Sequence, residues 1–318
     1  MRVAFIILGF VFSMSSAPAY PTQQSPSSSG EDLLKAGKAV EAREVFESEL
    51  TADPGNAAAQ GGEVASSERV ALDARQHGQM DDALKALLRA QTFAPKNERL
   101  LYDLGILEDE MHLYRDADTT LSSLEQLHPA DPHVLYAIAR VKMDLGQMSA
   151  AEEKLEAYLK AEPNDASAHY GLGRVYQLNL QVDKARAEFQ RSIELKPVQT
   201  ESYYELGDIA LGQGNFDEAI DYFSKTLARD PRHAGALAGT GEAYFKEKQY
   251  AKAEEFLERA VAVAPNYHPG HYYLGLTLAR LGRKEESQRE LDLATKLADE
   301  ANKRDRSGLH LITPPTSP

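Results

Sequence analysis

The sequence predicts an all-α chain built as a solenoid of tandem helix–turn–helix units. Three observations carry that prediction. Six prolines, Pro95, Pro129, Pro163, Pro197, Pro231 and Pro265, follow one another at a spacing of 34 residues, and three further columns keep the same register. One is Ala83, Ala117, Ala151, Ala185, Ala219 and Ala253; another is Gly105, Ala139, Gly173, Gly207, Gly241 and Gly275; the last is Leu121, Leu155, Phe189, Phe223, Leu257 and Leu291. Each unit also contains two stretches with apolar residues three and four apart, joined by a short turn. Finally, one such helix pair cannot bury its apolar face alone, whereas stacked pairs can, so the core repeats along the chain instead of gathering at one centre.

At the N-terminus, residues 1–19 read MRVAFIILGFVFSMSSAPA: Arg2, an apolar stretch from Val3 to Met14, then Ala17 and Ala19 in an A-x-A arrangement. This is the layout of a secretory signal peptide, cut after Ala19, with an apolar stretch too short to span a bilayer. Its removal takes away only the charge of Arg2, so the mature protein is expected without stable membrane insertion, in the periplasm or outside the cell. Residues 20–30 form a Ser/Pro-rich linker with too little apolar content to pack.

The solenoid is expected over residues 31–304. Within ESYYELGDIALGQGNFDEAIDYFSKTLARDP the first helix covers Glu201 to Leu211, GQGN turns the chain, and Phe216 to Arg229 form the second helix. Proline then closes the unit because it cannot continue a helix. Eight units follow from the register: about 23–56, 57–97, 98–131, 132–165, 166–199, 200–233, 234–267 and 268–301. The first keeps Ala42, Phe46 and Pro54, but its first helix must begin in the linker, so half a repeat remains an open alternative. The longer separation of Pro54 from Pro95 predicts an elongated first helix in the second unit. Ser287 and Asp299 replace alanine and proline in the last unit, whose final helix runs on as the polar LATKLADEANKRDR, suited to a capping end. Residues 305–318 are expected to be a disordered tail.

The columns resemble the tetratricopeptide repeat. In YGLGRVYQLNLQVDKARAEFQRSIELKP they are Leu172, Gly173, Tyr176, Ala185, Phe189 and Pro197, and the likeness extends over roughly residues 27–304. The resemblance implies a right-handed superhelical solenoid with the first helices lining a concave groove. Pentatricopeptide arrays, which read RNA with units of similar length, fit poorly with the acidic balance and the export signal.

Chemistry is constrained by what the chain contains. With 35 Lys and Arg against 49 Asp and Glu, the net charge is −14. Binding nucleic acid through phosphates needs a basic face, so no nucleic-acid partner is expected. No cysteine is present, which removes disulfides, thiolate zinc sites and cysteine nucleophiles. The paired glycines Gly171 and Gly173 beside Arg174 raise a nucleotide reading, but a phosphate loop needs a preceding strand and a following lysine and serine. A glycine within a helix costs about 1 kcal/mol relative to alanine, and close approach of the two helices at Gly173 accounts for its recurrence. The pair His268 and His271 lacks a third metal ligand and is expected on an exposed edge. Asp116 with Asp118, and Glu285 with Glu286, read as solvated helix faces. The chain is therefore expected to be no enzyme, with no cofactor and no metal.

Binding residues follow from the family resemblance. Tyr102, Tyr136, Tyr170, Tyr204 and Tyr272, three before the glycine column, take a register that usually faces the groove; Ala238 breaks the series. One turn on come Arg140, Arg174, Asp208 and Glu242. Tyrosine supplies apolar area and a hydroxyl at low entropic cost, and arginine holds a carboxylate in a fork. A protein or peptide partner is expected, acidic toward Arg140 and Arg174 and basic toward Asp208 and Glu242. Packing between helices is the competing explanation of the tyrosines. A polysaccharide stacked on them, within an export or assembly complex, is the alternative function, and an accessory role beside an enzyme encoded elsewhere stays open.

Overall fold

The computed structural model describes residues 29–310. The expected signal peptide and most of the linker lie outside the described residues, as does the chain from 311 on. Among the described residues there are sixteen α-helices and no strand. The chain divides into two compact units that meet in sequence at Pro95 and Lys96.

The first unit holds α1 (Gly30–Lys35), α2 (Ala39–Ala52), α3 (Ala57–Gln76) and α4 (Met80–Phe93). α1 has six residues and starts at the end of the Ser-rich stretch, where Ser29 caps it by accepting from Asp32 N. α3 runs for 20 residues, the elongation that the Pro54–Pro95 separation predicts. Phe46 is the buried centre, and a side-chain carbon on Gly30 or Gly62 would fall within 2.7 or 2.3 Å of its ring. Glu63 is also fully buried, accepting from Ser67 Oγ at 3.1 Å.

The second unit repeats one pattern from α5 (Glu98–Glu110) and α6 (Tyr114–Leu127) through α7 (Pro132–Asp144), α8 (Met148–Ala161), α9 (Ala166–Leu178) and α10 (Val182–Leu195). It continues with α11 (Thr200–Gly212), α12 (Phe216–Leu227), α13 (Ala234–Lys246), α14 (Tyr250–Val263), α15 (His268–Arg280) and α16 (Lys284–His310). α11 and α12 depart from their expected limits by no more than two residues. α16 continues past residue 304 to His310, so its backbone is helical in the first part of the stretch read as a tail.

Local chemistry sets each boundary. Asn97, Asp131 and Asp165 cap α5, α7 and α9 by accepting from backbone amides of the first turn, which satisfies donors the helix itself cannot. Each first helix is followed by a residue of positive φ: Gly37, Gly78, His112, Gly146, Leu180, Gly214, Lys248 and Gly282. At Leu180 the closure is of Schellman type, with Gln181 N donating to Tyr176 O at 2.8 Å and Leu180 N to Gln177 O at 3.0 Å.

The columns of the sequence become the core. Ala117, Ala151, Ala185, Ala219 and Ala253 are completely buried, as are Leu121, Phe189 and Leu257. A side-chain carbon on Gly173 would lie 2.7 Å from Phe189, and one on Gly207 2.6 Å from Phe223, so these glycines let the two helices of a pair close together. Neighbouring first helices also touch one another, α5 with α7, α11 with α13 and α13 with α15, while neighbouring second helices show no such closeness. The second unit therefore bends with its first helices on the inner face.

Candidate functional site

The tyrosines of the inner face begin as packing residues. Tyr136 lies against Tyr158 with ring centroids 5.1 Å apart, and Tyr170 against Phe189 at 5.8 Å. Tyr204 meets Phe223 at 6.0 Å and His233 at 4.7 Å. These rings and Tyr102 are half-buried, and burial raises the phenol pKa of Tyr102, Tyr136, Tyr170 and Tyr204. Tyr272 differs: it is 41 % exposed, stacked beside His268 and edge-on to Tyr273. Packing and presentation thus coexist in one column, with Tyr272 the most open ring.

The arginines one turn on are engaged within the chain. Arg140 Nη2 donates to Asp109 Oδ2 at 2.7 Å, and Arg174 Nη1 donates to Glu205 Oε1 at 2.6 Å. Both acids are buried and both guanidinium groups stay partly open to solvent. Each arginine therefore covers a carboxylate of a neighbouring helix pair, which leaves less of its charge for a ligand.

Asp208 and Glu242 have the opposite character. Asp208 is exposed and has no hydrogen-bond partner among the described residues; the protein packed about its carboxyl raises its pKa, against the opposing pull of Arg174. Glu242 is raised chiefly by burial, with Asp208 adding to the effect, while Tyr273 and Lys246 oppose it. Tyr273 Oη donates to Glu242 Oε1 at 2.5 Å, and Lys246 Nζ stands 4.0 Å away. The phenol of Tyr267 is raised by burial and by both acids, with the neighbouring Tyr204 opposing the rise. Tyr204, Asp208, Glu242, Tyr267 and Tyr273 thus form an aromatic, acidic cluster across α11, α13 and α15.

Four inner-face residues escaped the sequence analysis: Asp109 and Glu205, which pair with the arginines, and Tyr267 and Tyr273. A signal for three of them was present. Asp109 to Arg140, Arg174 to Glu205 and Glu242 to Tyr273 are each 31 residues apart, one repeat less one helical turn, which is the offset at which adjacent first helices face each other. Tyr267 stands in the N-cap column with Asn97, Asp131, Asp165, Gln199 and His233, and like Gln199 it makes no side-chain cap. His271, expected on an exposed edge, is buried, because its ring is drawn between Glu290 and the Pro265 carbonyl. Among the described residues no three His, Asp or Glu side chains are grouped to hold a metal ion, and no helix is long and apolar enough to cross a membrane.

Comparison with known proteins adds a family match. The tetratricopeptide repeat model matches residues 136–200 and 204–268. A tetratricopeptide repeat protein from Parabacteroides merdae aligns over 74 % of this chain and 93 % of its own, with a TM-score of 0.60 and 20 % identity. The C-terminal part of a TPR repeat-containing protein from Cytophaga hutchinsonii aligns over 63 % and 80 %, with a TM-score of 0.52 and 17 % identity. MamA from Desulfovibrio magneticus aligns over 54 % and 97 %, with a TM-score of 0.51 and 23 % identity. At these identities the structures bear on the fold alone. No curated protein sequence matches the chain.

Proposed function

We propose that this chain, a tetratricopeptide-repeat protein by the match over residues 136–200 and 204–268, is a non-catalytic scaffold holding an extended peptide on its inner face, with basic side chains over α11–α15. Such repeat arrays are generally protein-interaction scaffolds without catalysis of their own. The observation that carries the finer reading is the inequality of the inner-face charges. Arg140 and Arg174 already cover Asp109 and Glu205, whereas Asp208 lacks a hydrogen-bond partner among the described residues and Glu242 has a cation only at 4.0 Å. A carboxylate whose pKa is raised and whose charge no cation in the chain meets closely gains from a cation brought by a ligand, and the rings beside it suit lysine and arginine stems. The arrangement favours the basic end of the expected ligand over the acidic one. Export is part of the same proposal, supported by the leader-like residues 1–19.

The test uses the mature chain, residues 20–318, with a fluorescent oligo-lysine decamer and an oligo-glutamate control in an anisotropy titration at low salt. The lysine peptide is expected to bind and the glutamate peptide not. Asp208→Asn/Glu242→Gln should weaken binding at least tenfold, and Arg140→Ala should leave it within about threefold. Preference for the glutamate peptide, abolished by Arg140→Ala/Arg174→Ala, overturns the basic-ligand reading. Competition by an oligosaccharide, lost in Tyr272→Leu, would instead favour the polysaccharide role, for which the open ring of Tyr272 is the available platform.

A further inference from the structure

Two histidines occupy a position that is otherwise apolar or aromatic. In the column four residues into each first helix stand Leu101, Leu135, Tyr203 and Leu237, and also His169 and His271. Both rings are withdrawn from solvent, with side chains 13 % and 7 % exposed. Their surroundings are the same. His169 Nδ1 is 2.6 Å from Glu188 Oε2 and Nε2 is 3.2 Å from the Pro163 carbonyl oxygen. His271 Nδ1 is 2.6 Å from Glu290 Oε2 and Nε2 is 2.9 Å from the Pro265 carbonyl oxygen. The sequence form is proline, histidine six residues later and glutamate nineteen after that, and it occurs at both places.

A carboxylate and a backbone carbonyl are acceptors only, and a neutral imidazole carries a single N–H. One neutral ring therefore cannot serve both partners; the other nitrogen would point its lone pair at an oxygen. The imidazolium serves both.

We infer that His169 and His271 are protonation-controlled clamps, each tying a helix pair to the proline that closes the pair before it, so that two joints of the array tighten in mild acid and loosen as pH rises. The clamp joins three elements at each place: the closing loop of the preceding pair through proline, the first helix through histidine, and the second helix through glutamate. The charged groups facing His169 are Glu188 from α10 and Asp165 at the start of α9, both acidic. Those around His271 are Glu290 from α16, with Glu258, Arg283, Glu286 and Arg289 lining the adjoining recess. Protonation adds the second donor, so the stabilisation is present at low pH and is lost as the proton leaves. A histidine ionises in the range where compartments differ in pH, which makes the device a sensor. It holds whatever occupies the inner face.

The test is long-range proton–nitrogen correlation on the full chain labelled at histidine, with the two rings assigned by their loss in His169→Gln and His271→Gln. At pH 6 both rings should show two protonated nitrogens, and raising the pH to 8.5 should leave one. In parallel, thermal melts compare wild type with His169→Leu/His271→Leu, leucine being the residue of the same column in other units. The wild-type melting temperature should fall further than that of the variant between pH 6 and 8.5. Neutral rings at pH 6, or equal falls in the two proteins, would overturn the inference. If the leucine variant does not fold, the wild-type resonances decide alone.

Discussion

Gly171 and Gly173 show how a single hydrogen in place of a methyl group decides between two effects. A side-chain carbon on Gly173 would meet the Phe189 ring at 2.7 Å, while one on Gly171 would meet Leu155 at an ordinary 3.7 Å. Gly171→Ala is therefore expected to stabilise the chain by roughly 0.5–1 kcal/mol through helix propensity. Gly173→Ala is expected to destabilise it by about 1–3 kcal/mol through overpacking. The paired variant Gly173→Ala/Phe189→Leu should recover part of the loss, because Ala139 already stands against Leu155 in the preceding pair. Urea denaturation of the three proteins checks this; a stable Gly173→Ala would show the ring to be freer than its burial implies. The glycine column and its reason were legible in the sequence because repetition exposes a constraint that one copy hides. The partners of Arg140 and Arg174 were not, since Asp109 and Glu205 fall outside any column of like residues and are tied only by the offset between neighbouring helices.

The turn between the two helices of a pair has one backbone shape and several residues in it. Gly214 has φ 80° and Leu180 has φ 59°. A non-glycine residue in this left-handed region costs about 1–2 kcal/mol, and nothing lies within 4 Å of a side-chain carbon built on Gly214. Gly214→Ala should therefore lower stability by about 1 kcal/mol on backbone grounds alone. Leu180, whose side chain is 84 % exposed, offers the reverse experiment: Leu180→Gly should raise the melting temperature by a degree or two. Equal stability of Leu180→Gly and wild type would mean that the flexibility glycine adds to the unfolded chain cancels the relief. Helix limits were legible here to within two residues, because proline and glycine mark them. The left-handed turns at His112, Leu180 and Lys248 were not, since the Schellman closure imposes that backbone on whatever residue occupies the place.

At the scale of the molecule, two buried glutamates, one in each unit, bind their protons more readily in the folded chain than in the unfolded one. Burial raises the carboxyl groups of Glu63, in the first unit, and Glu108, in the second, from the ordinary 4.5 to about 7. For each, the unfolded chain releases its proton near 4.5 and the folded chain keeps it until about 7, so stability falls across that interval by roughly 3 kcal/mol. Glu63→Gln and Glu108→Gln should therefore raise the melting temperature at pH 8 and leave it nearly unchanged at pH 4.5. A lower melting temperature at pH 8 would show that the ionised carboxylate is better accommodated than its burial suggests. Neither group was visible as a core residue in the sequence, where glutamate on a helix reads as solvated. Only the packing of neighbouring elements closes over it.

The offset of 31 residues between paired side chains has a consequence for how such a chain can change its length. Thirty-four residues are a complete brick of backbone, and the helices would accept an extra copy. The contacts would not. A tandem duplication of residues 166–199 would set the first copy of Arg174 opposite the second copy of Gly171, not opposite Glu205, and leave a guanidinium group without its carboxylate. A duplication of 200–233 would bring Asp208 to face a second Glu205. The bricks share a shape but carry an order, written in charge across each seam, and shuffling them costs that order even where the fold survives.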